Sequence, residues 1–264
     1  MKRTVLLWII AFVITIASAV YQRMTGPTYP LKITTTLDER ELSFSLDRTH
    51  GGEGNHVVTI FTNDEKISGI LEWKRLGIDE PFTKETMNYN NGKLTAELPH
   101  QPPAGKLEYQ VTLTDGSSSV TNGTIIRFKG EVPAAILLVH ILCMFTGMLF
   151  ATRAGLEIFN PQPQYKKFTN ITFALLTIGG MILGPVVLYY AFGDIWTGWP
   201  VGTDITDNKT LIAFIVWLTA MAAVRKSKNP KVWILSAAVV TLIVFLIPHS
   251  LWGTELNYQT MQRQ

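Results

Sequence analysis

Past Glu131 the chain runs through four apolar stretches, at 132–151, 168–192, 210–224 and 232–248, separated by short polar connections. A helix of about 20 apolar residues spans the hydrocarbon of a bilayer, and the third stretch reaches that length only by extending past its apolar edges. A chain of 264 residues with 47% hydrophobic and 16% charged residues is too apolar for an ordinary soluble domain, so membrane segments are expected. Cys143, the single cysteine, lies inside an apolar run. That excludes an internal disulfide and a cysteine-based metal cluster, and leaves it as a small core residue.

Charge sets an expected direction for these segments. Arg153, Lys166 and Lys167 fill the first connection and Arg225, Lys226, Lys228 and Lys231 the third, whereas the middle one is acidic with Lys209 its lone cation. Under the positive-inside rule the two basic connections face the cytoplasm, and the middle loop and C-terminal end face the exported side of a bacterial inner membrane. The formal charge of +3 is accounted for by this pattern and carries no nucleic-acid meaning. At the start, Lys2 and Arg3 precede an apolar run that ends near Ala17-Ser18-Ala19. Residues 1–20 therefore read as a transmembrane anchor or as a cleavable signal peptide, and either exports the segment after it.

Residues 21–130 change texture. The runs 31–35, 41–46, 56–61 and 107–113 alternate apolar with polar residues, as strands with one buried face do, and 124–129 reads as a last strand. Asn90-Asn91-Gly92 and Asp115-Gly116 supply hairpin turn residues. About seven or eight strands in about 100 residues predict an exported, periplasmic β-sandwich of immunoglobulin-like type. His50, His56 and His100 are separated and lack metal-ligand spacing, so they read as strand or surface histidines.

The most unusual segment is 177–211. Gly180 and Gly184 form a G-x-x-x-G face for close approach, and Pro185 is expected to bend the helix before Tyr189, Tyr190 and Phe192. A loop carrying Asp194, Trp196, Gly198, Trp199, Asp204 and Asp207 comes next. The tryptophans fit an interfacial belt, and Asp207 reads as an N-cap or first-turn residue of the next helix. Two histidines, His140 and His249, lie toward the exported ends of their segments. Each is a candidate ligand, because ionisable groups in such segments usually face the bundle interior, though His140 could simply satisfy a backbone carbonyl.

Gly180-x-x-x-Gly184, Tyr190-Ala191-Phe192-Gly193, Trp196, Asp207-x-Lys209, Leu211-Ile212 and Trp217, flanked by Leu138-Val139-His140 and Pro248-His249-Ser250, resemble the tryptophan-rich segment of heme-handling membrane proteins of cytochrome c assembly. The likeness covers about 132–255. The family's compact Trp-x-Trp-Asp core is loosened here to Trp196-Thr-Gly-Trp199-Pro, and Thr210 stands where an acidic residue follows the lysine. The resemblance implies heme as cofactor, held by His140 and His249 as axial ligands. It also implies Trp196, Trp199 and Gly198 as a platform, and Asp204, Asp207 and Lys209 near the propionates.

The expected architecture is an α+β membrane protein: anchor or signal at 1–20, exported β-sandwich at 21–130, four-helix transmembrane domain at 131–255 and exported tail at 256–264. The expected role is heme binding or handling rather than catalysis, beside other proteins of a respiratory or cytochrome assembly complex. A non-enzymatic anchored module, whose β-sandwich binds a protein partner while the bundle is scaffold, is the alternative. A proton-relay or transport role through Asp194, Asp204 and His140 is a third.

Overall fold

The computed structural model describes every residue except Met1, Ser250, Trp252, Thr254 and Gln264; Ser250 of the histidine motif therefore lies outside the described residues. The chain is α+β, with an N-terminal helix, a β-rich region and several apolar helices. It divides into a helical unit, Met1–Pro27 with Val132–Gly253, and a β-unit, Thr28–Glu131 with Thr254–Gln264.

In the helical unit, α1 (Lys2–Thr25) buries Leu7, Ala11, Thr15 and Ser18, a stripe at helical spacing. Helix α2 (Ala134–Gly155) leads through a 3-10 turn (Leu156–Phe159) to α3 (Tyr165–Leu176). A π-helical stretch (Thr177–Leu183) joins α3 to α4 (Gly184–Phe192), and α5 (Ile205–Lys226) and α6 (Lys231–Leu246) complete the set.

The helices alternate in direction. Trp8 of α1 meets Phe150 of α2 edge-on, ring centroids 5.3 Å apart. Gln22, at the other end of α1, donates from Nε2 to the carbonyls of Phe245 (2.7 Å) and Ile247 (3.2 Å). Trp217 Nε1 of α5 donates to Thr241 Oγ1 of α6 at 2.8 Å, and both side chains are buried.

Among the described residues four helices are long and apolar enough to cross a membrane: Lys2–Thr25, Ala134–Phe159, Tyr165–Phe192 and Ile205–Lys226. The third apolar stretch does extend past its edges, gaining a first turn at 205–209. The last falls short of expectation, because α6 stops at Leu246 after 16 residues. Ile247 is extended (φ −68°, ψ 122°), the conformation that a following proline, here Pro248, enforces.

Between α1 and α2 the β-unit holds ten strands, more than the seven or eight expected, the first two forming the hairpin β1 (Leu31–Leu37)/β2 (Arg40–Leu46). Short strands account for the excess: β3 (Thr49–Gly51), β6 (Thr83–Thr86) and β7 (Asn88–Asn90) are too brief to show alternation. Between them lie β4 (His56–Phe61), β5 (Ser68–Arg75), β8 (Lys93–Leu98), β9 (Lys106–Thr114) and β10 (Ser119–Lys129).

A five-stranded sheet, β3-β10-β9-β5-β6, and a three-stranded sheet, β4-β8-β7, share one core. Strand β9 alternates strictly, burying Leu107, Tyr109, Val111 and Leu113. Asn91 (φ 48°) and Gly92 (φ 79°) turn β7 into β8, as the Asn-Gly signal requires. At Gly123 a Cβ would meet the Tyr109 carbonyl at 2.8 Å, so the strand needs glycine there.

The segment 256–264, expected as an exported tail, belongs to this unit. Strands β11 (Leu256–Asn257) and β12 (Gln262–Arg263) form a hairpin; Leu256 N donates to Ala104 O at 3.1 Å, and Tyr258 Oη donates to Gln101 Oε1 at 3.0 Å. Leu256 is the apolar anchor, buried although its local sequence is polar.

Candidate functional site

His140 lies in the second turn of α2, about 9 Å from its start at 1.5 Å per residue. Its Nδ1 is 2.8 Å from the carbonyl oxygen of Gly179, the backbone-carbonyl contact that the structural alternative for His140 called for. A carbonyl only accepts, so Nδ1 carries the proton and Nε2 is left with its lone pair. The partner is supplied by the π-helical stretch, whose displaced hydrogen-bond register changes which carbonyls its own turns use. Gly179 and Gly180 make the approach possible: a Cβ on Gly179 would meet Cys143 Cβ at 2.8 Å, and one on Gly180 would meet Thr210 Cγ2 at 2.6 Å. The close-packed pair is thus Gly179 and Gly180, against α2 and α5, and not the expected G-x-x-x-G pair, because a Cβ on Gly184 would meet only the Gly179 carbonyl at 3.8 Å.

His249 follows the end of α6 and is exposed. It lies close enough to Lys209 and His140 to feel their charges. Lys209 is 2% exposed and donates from Nζ to Ile247 O at 2.8 Å, pinning the end of α6 two residues before His249. The structure therefore brings His140, Lys209 and His249 to one end of the bundle.

The tryptophan loop stands at the same end. Gly193 (φ 80°) closes α4, and the loop then folds onto the first turn of α5. Asp207 Oδ2 accepts from Thr197 N (2.7 Å) and Thr197 Oγ1 (3.0 Å), and Asn208 Oδ1 accepts from Trp199 N (2.7 Å). The N-cap is Asp204, whose Oδ1 accepts from Thr206 N at 2.7 Å; Asp207, expected in that role or in the first turn, sits in the first turn and ties the loop down.

Gly198 is buried with its α-carbon facing this turn, where a Cβ would meet Asp207 Cβ at 2.7 Å. Trp196 is half-buried with Nε1 donating to Trp199 O at 3.0 Å, and the Trp199–Pro200 peptide is cis. Trp199 is 69% exposed, as are Ile195 (68%) and Val201 (76%), so the loop presents an apolar tip.

Of the donors a heme would need, the structure supplies two imidazoles at one end of the bundle, one of them oriented through a backbone carbonyl. Asp204 and Asp207 are committed to capping and tying, and Lys209 to a carbonyl, so their fit to propionates is indirect. Among the described residues no three His, Cys, Asp or Glu side chains converge on a metal position.

Two groupings were missed at the level of sequence. His50 and His56 touch, Nδ1 to Nδ1 at 3.3 Å, and His50 Nε2 and His100 Nδ1 both approach Gly54 O, at 3.2 and 3.1 Å. Sheet pairing, not spacing, collects them beside Phe128. Burial pushes His56 below its ordinary value of 6.5, with Asp47 opposing and His50 adding to the shift. A base whose folded pKa is depressed contributes its full stability above the unfolded value and loses it as pH falls below that value. Thermal unfolding of the β-unit is expected to shift to lower temperature between about pH 7 and pH 5, and His56→Gln should flatten that slope.

The second grouping is Arg153 and Glu157, both fully buried and ion-paired at i, i+4 spacing, a signal the sequence does carry. They lie at the opposite end of α2 from His140.

Comparison of the chain with models of known protein families finds no match, and comparison with curated proteins finds none. The assignment of function therefore rests on the residues themselves.

Proposed function

We propose that this chain is an integral membrane protein that binds heme at its exported face through His140 and His249, for heme handling in cytochrome c assembly or for respiratory electron transfer. Bound heme would supply one-electron chemistry or be passed to an acceptor. His140 and His249 would hold it by Nε2 and a ring nitrogen, Trp196, Trp199 and Gly198 would lie against it, and Asp204, Asp207 and Lys209 would fix the loop and the end of α6.

The observation that carries this reading is the hydrogen bond from His140 Nδ1 to Gly179 O, which leaves Nε2 unprotonated within charge range of His249. The membrane placement is supported by the helices' inverted pattern. Small or hydroxylated residues such as Ala11, Thr15, Gly147, Ala151, Thr172 and Ala220 face inward, while Val5, Leu6, Ile9, Phe12 and Val13 are about half exposed. The common core of the two β-sheets supports an immunoglobulin-like sandwich.

The test is an absorption spectrum of detergent-purified protein, oxidised and reduced, with hemin titration. A saturable Soret band of six-coordinate, low-spin character is expected. Colourless protein with no saturable change would remove the heme reading. It would favour the second one, a scaffold whose β-unit takes a partner strand, for which β6 offers a fully exposed sheet edge.

A further inference from the structure

At the end of the bundle away from His140, the start of α1, the end of α2 and the start of α3 enclose a cavity of about 360 Å³. One wall is aromatic: Trp8, Phe150 and Phe168 pack edge-on or tilted at 5.3 to 6.0 Å between centroids. The other is polar and cationic, formed by Arg153, Glu157, Asn160, Gln164 and Lys167.

Glu157 is spoken for. It pairs with Arg153 and accepts from Asn160 Nδ2 (3.0 Å) and from the Gln164 amide (2.5 Å). Arg153 is only partly so: beyond its pair with Glu157, its guanidinium lies over the Trp8 and Phe168 rings at 5.4 and 4.8 Å, and its Nε is buried with no hydrogen-bond partner. A buried cationic donor left without an acceptor costs far more than an exposed one, so an acceptor in the cavity would be strongly held. With Glu157 balancing one of the two cations, the cavity keeps one net positive charge.

We propose that this cavity binds the phosphate of an amphipathic phosphate ester, an acidic lipid headgroup whose apolar part lies against Trp8, Phe150 and Phe168. Arg153 Nε and Lys167 Nζ take the phosphate oxygens, and the amide of Gln162 and the hydroxyl of Thr4, which also line the cavity, serve headgroup hydroxyls. The aromatic wall distinguishes this occupant from a free inorganic anion, which gains nothing from it. The inference rests on the membrane placement proposed above and is independent of heme.

The experiment uses the delipidated full chain in neutral detergent. Thermal unfolding is followed while phosphatidylglycerol, phosphatidylcholine or inorganic phosphate is added, and native mass spectrometry counts retained lipids. Phosphatidylglycerol alone should raise the midpoint saturably, with one lipid retained. Lys167→Ala, at an exposed position that leaves the fold intact, should weaken this about tenfold, and Trp8→Phe less. The double variant Arg153→Gln/Glu157→Gln, which leaves no unpaired charge, should abolish it. Equal effects of phosphatidylglycerol and phosphatidylcholine, equal effects of phosphatidylglycerol and inorganic phosphate, or a response unchanged in Lys167→Ala and the double variant would each overturn the proposal.

Discussion

Alanine at His140 is expected to convert a six-coordinate, low-spin heme spectrum to a five-coordinate, high-spin one and to lower heme occupancy by more than tenfold. Outer-shell partners of ligating histidines alone change affinity by about 10–100-fold, and here the ligand itself is lost. Added imidazole should restore the low-spin form, because the substitution leaves a gap beside Gly179 without disturbing its carbonyl's helix. His249→Ala is expected to give the same spectral change with weaker imidazole rescue, since His249 lies exposed beyond the end of α6, where no enclosed gap would hold the added ligand. Gly180→Leu supplies an indirect test. Its side chain would drive into Thr210, parting the π stretch from α5, and heme should be lost while both histidines remain. If all three variants keep the wild-type spectrum, the two-histidine site is wrong.

Glu157→Ala is expected to be the most destabilising single change in the helical unit, costing about 3–5 kcal/mol, because it leaves the Arg153 guanidinium buried without its counter-charge. It also removes the acceptor of Asn160 and of the Gln164 amide, which hold the connection between α2 and α3. Replacing both charges, Arg153→Met with Glu157→Met, should recover most of the loss, since a buried pair is costly to break but cheap to exchange for apolar volume. Denaturant titration in mixed micelles, followed by helical circular dichroism, compares the three proteins; a single variant as stable as wild type would show that water reaches Arg153.

Local patterns of the chain carried much of this architecture. Alternation located β4 and β9 almost to the residue, because a strand with one buried face repeats every two positions. Asn91-Gly92 marked its hairpin, since few residues tolerate positive φ. Apolar length located the long helices, and Pro248 held the cause of the early end of α6, though apolar length alone ran past it. The eight candidate site residues were all nameable from composition and motif, yet their roles were not. Whether Asp204 or Asp207 caps α5 turns on a single φ, ψ pair, and that depends on how the loop lands on the helix.

What the sequence determined by itself is therefore what short-range physics decides: periodic burial, turn chemistry, and the placing of basic residues in two connections and acidic ones in a third. Only the tertiary structure decided which distant groups meet. It joined His140 to Gly179 across 39 residues, and it put His50 against His56, collecting His100 beside the same Gly54 carbonyl. It buried Arg153 against two aromatic rings and drew Leu256 into the β-unit. Such contacts arise from the register in which whole elements pack, and no local window of sequence encodes that register.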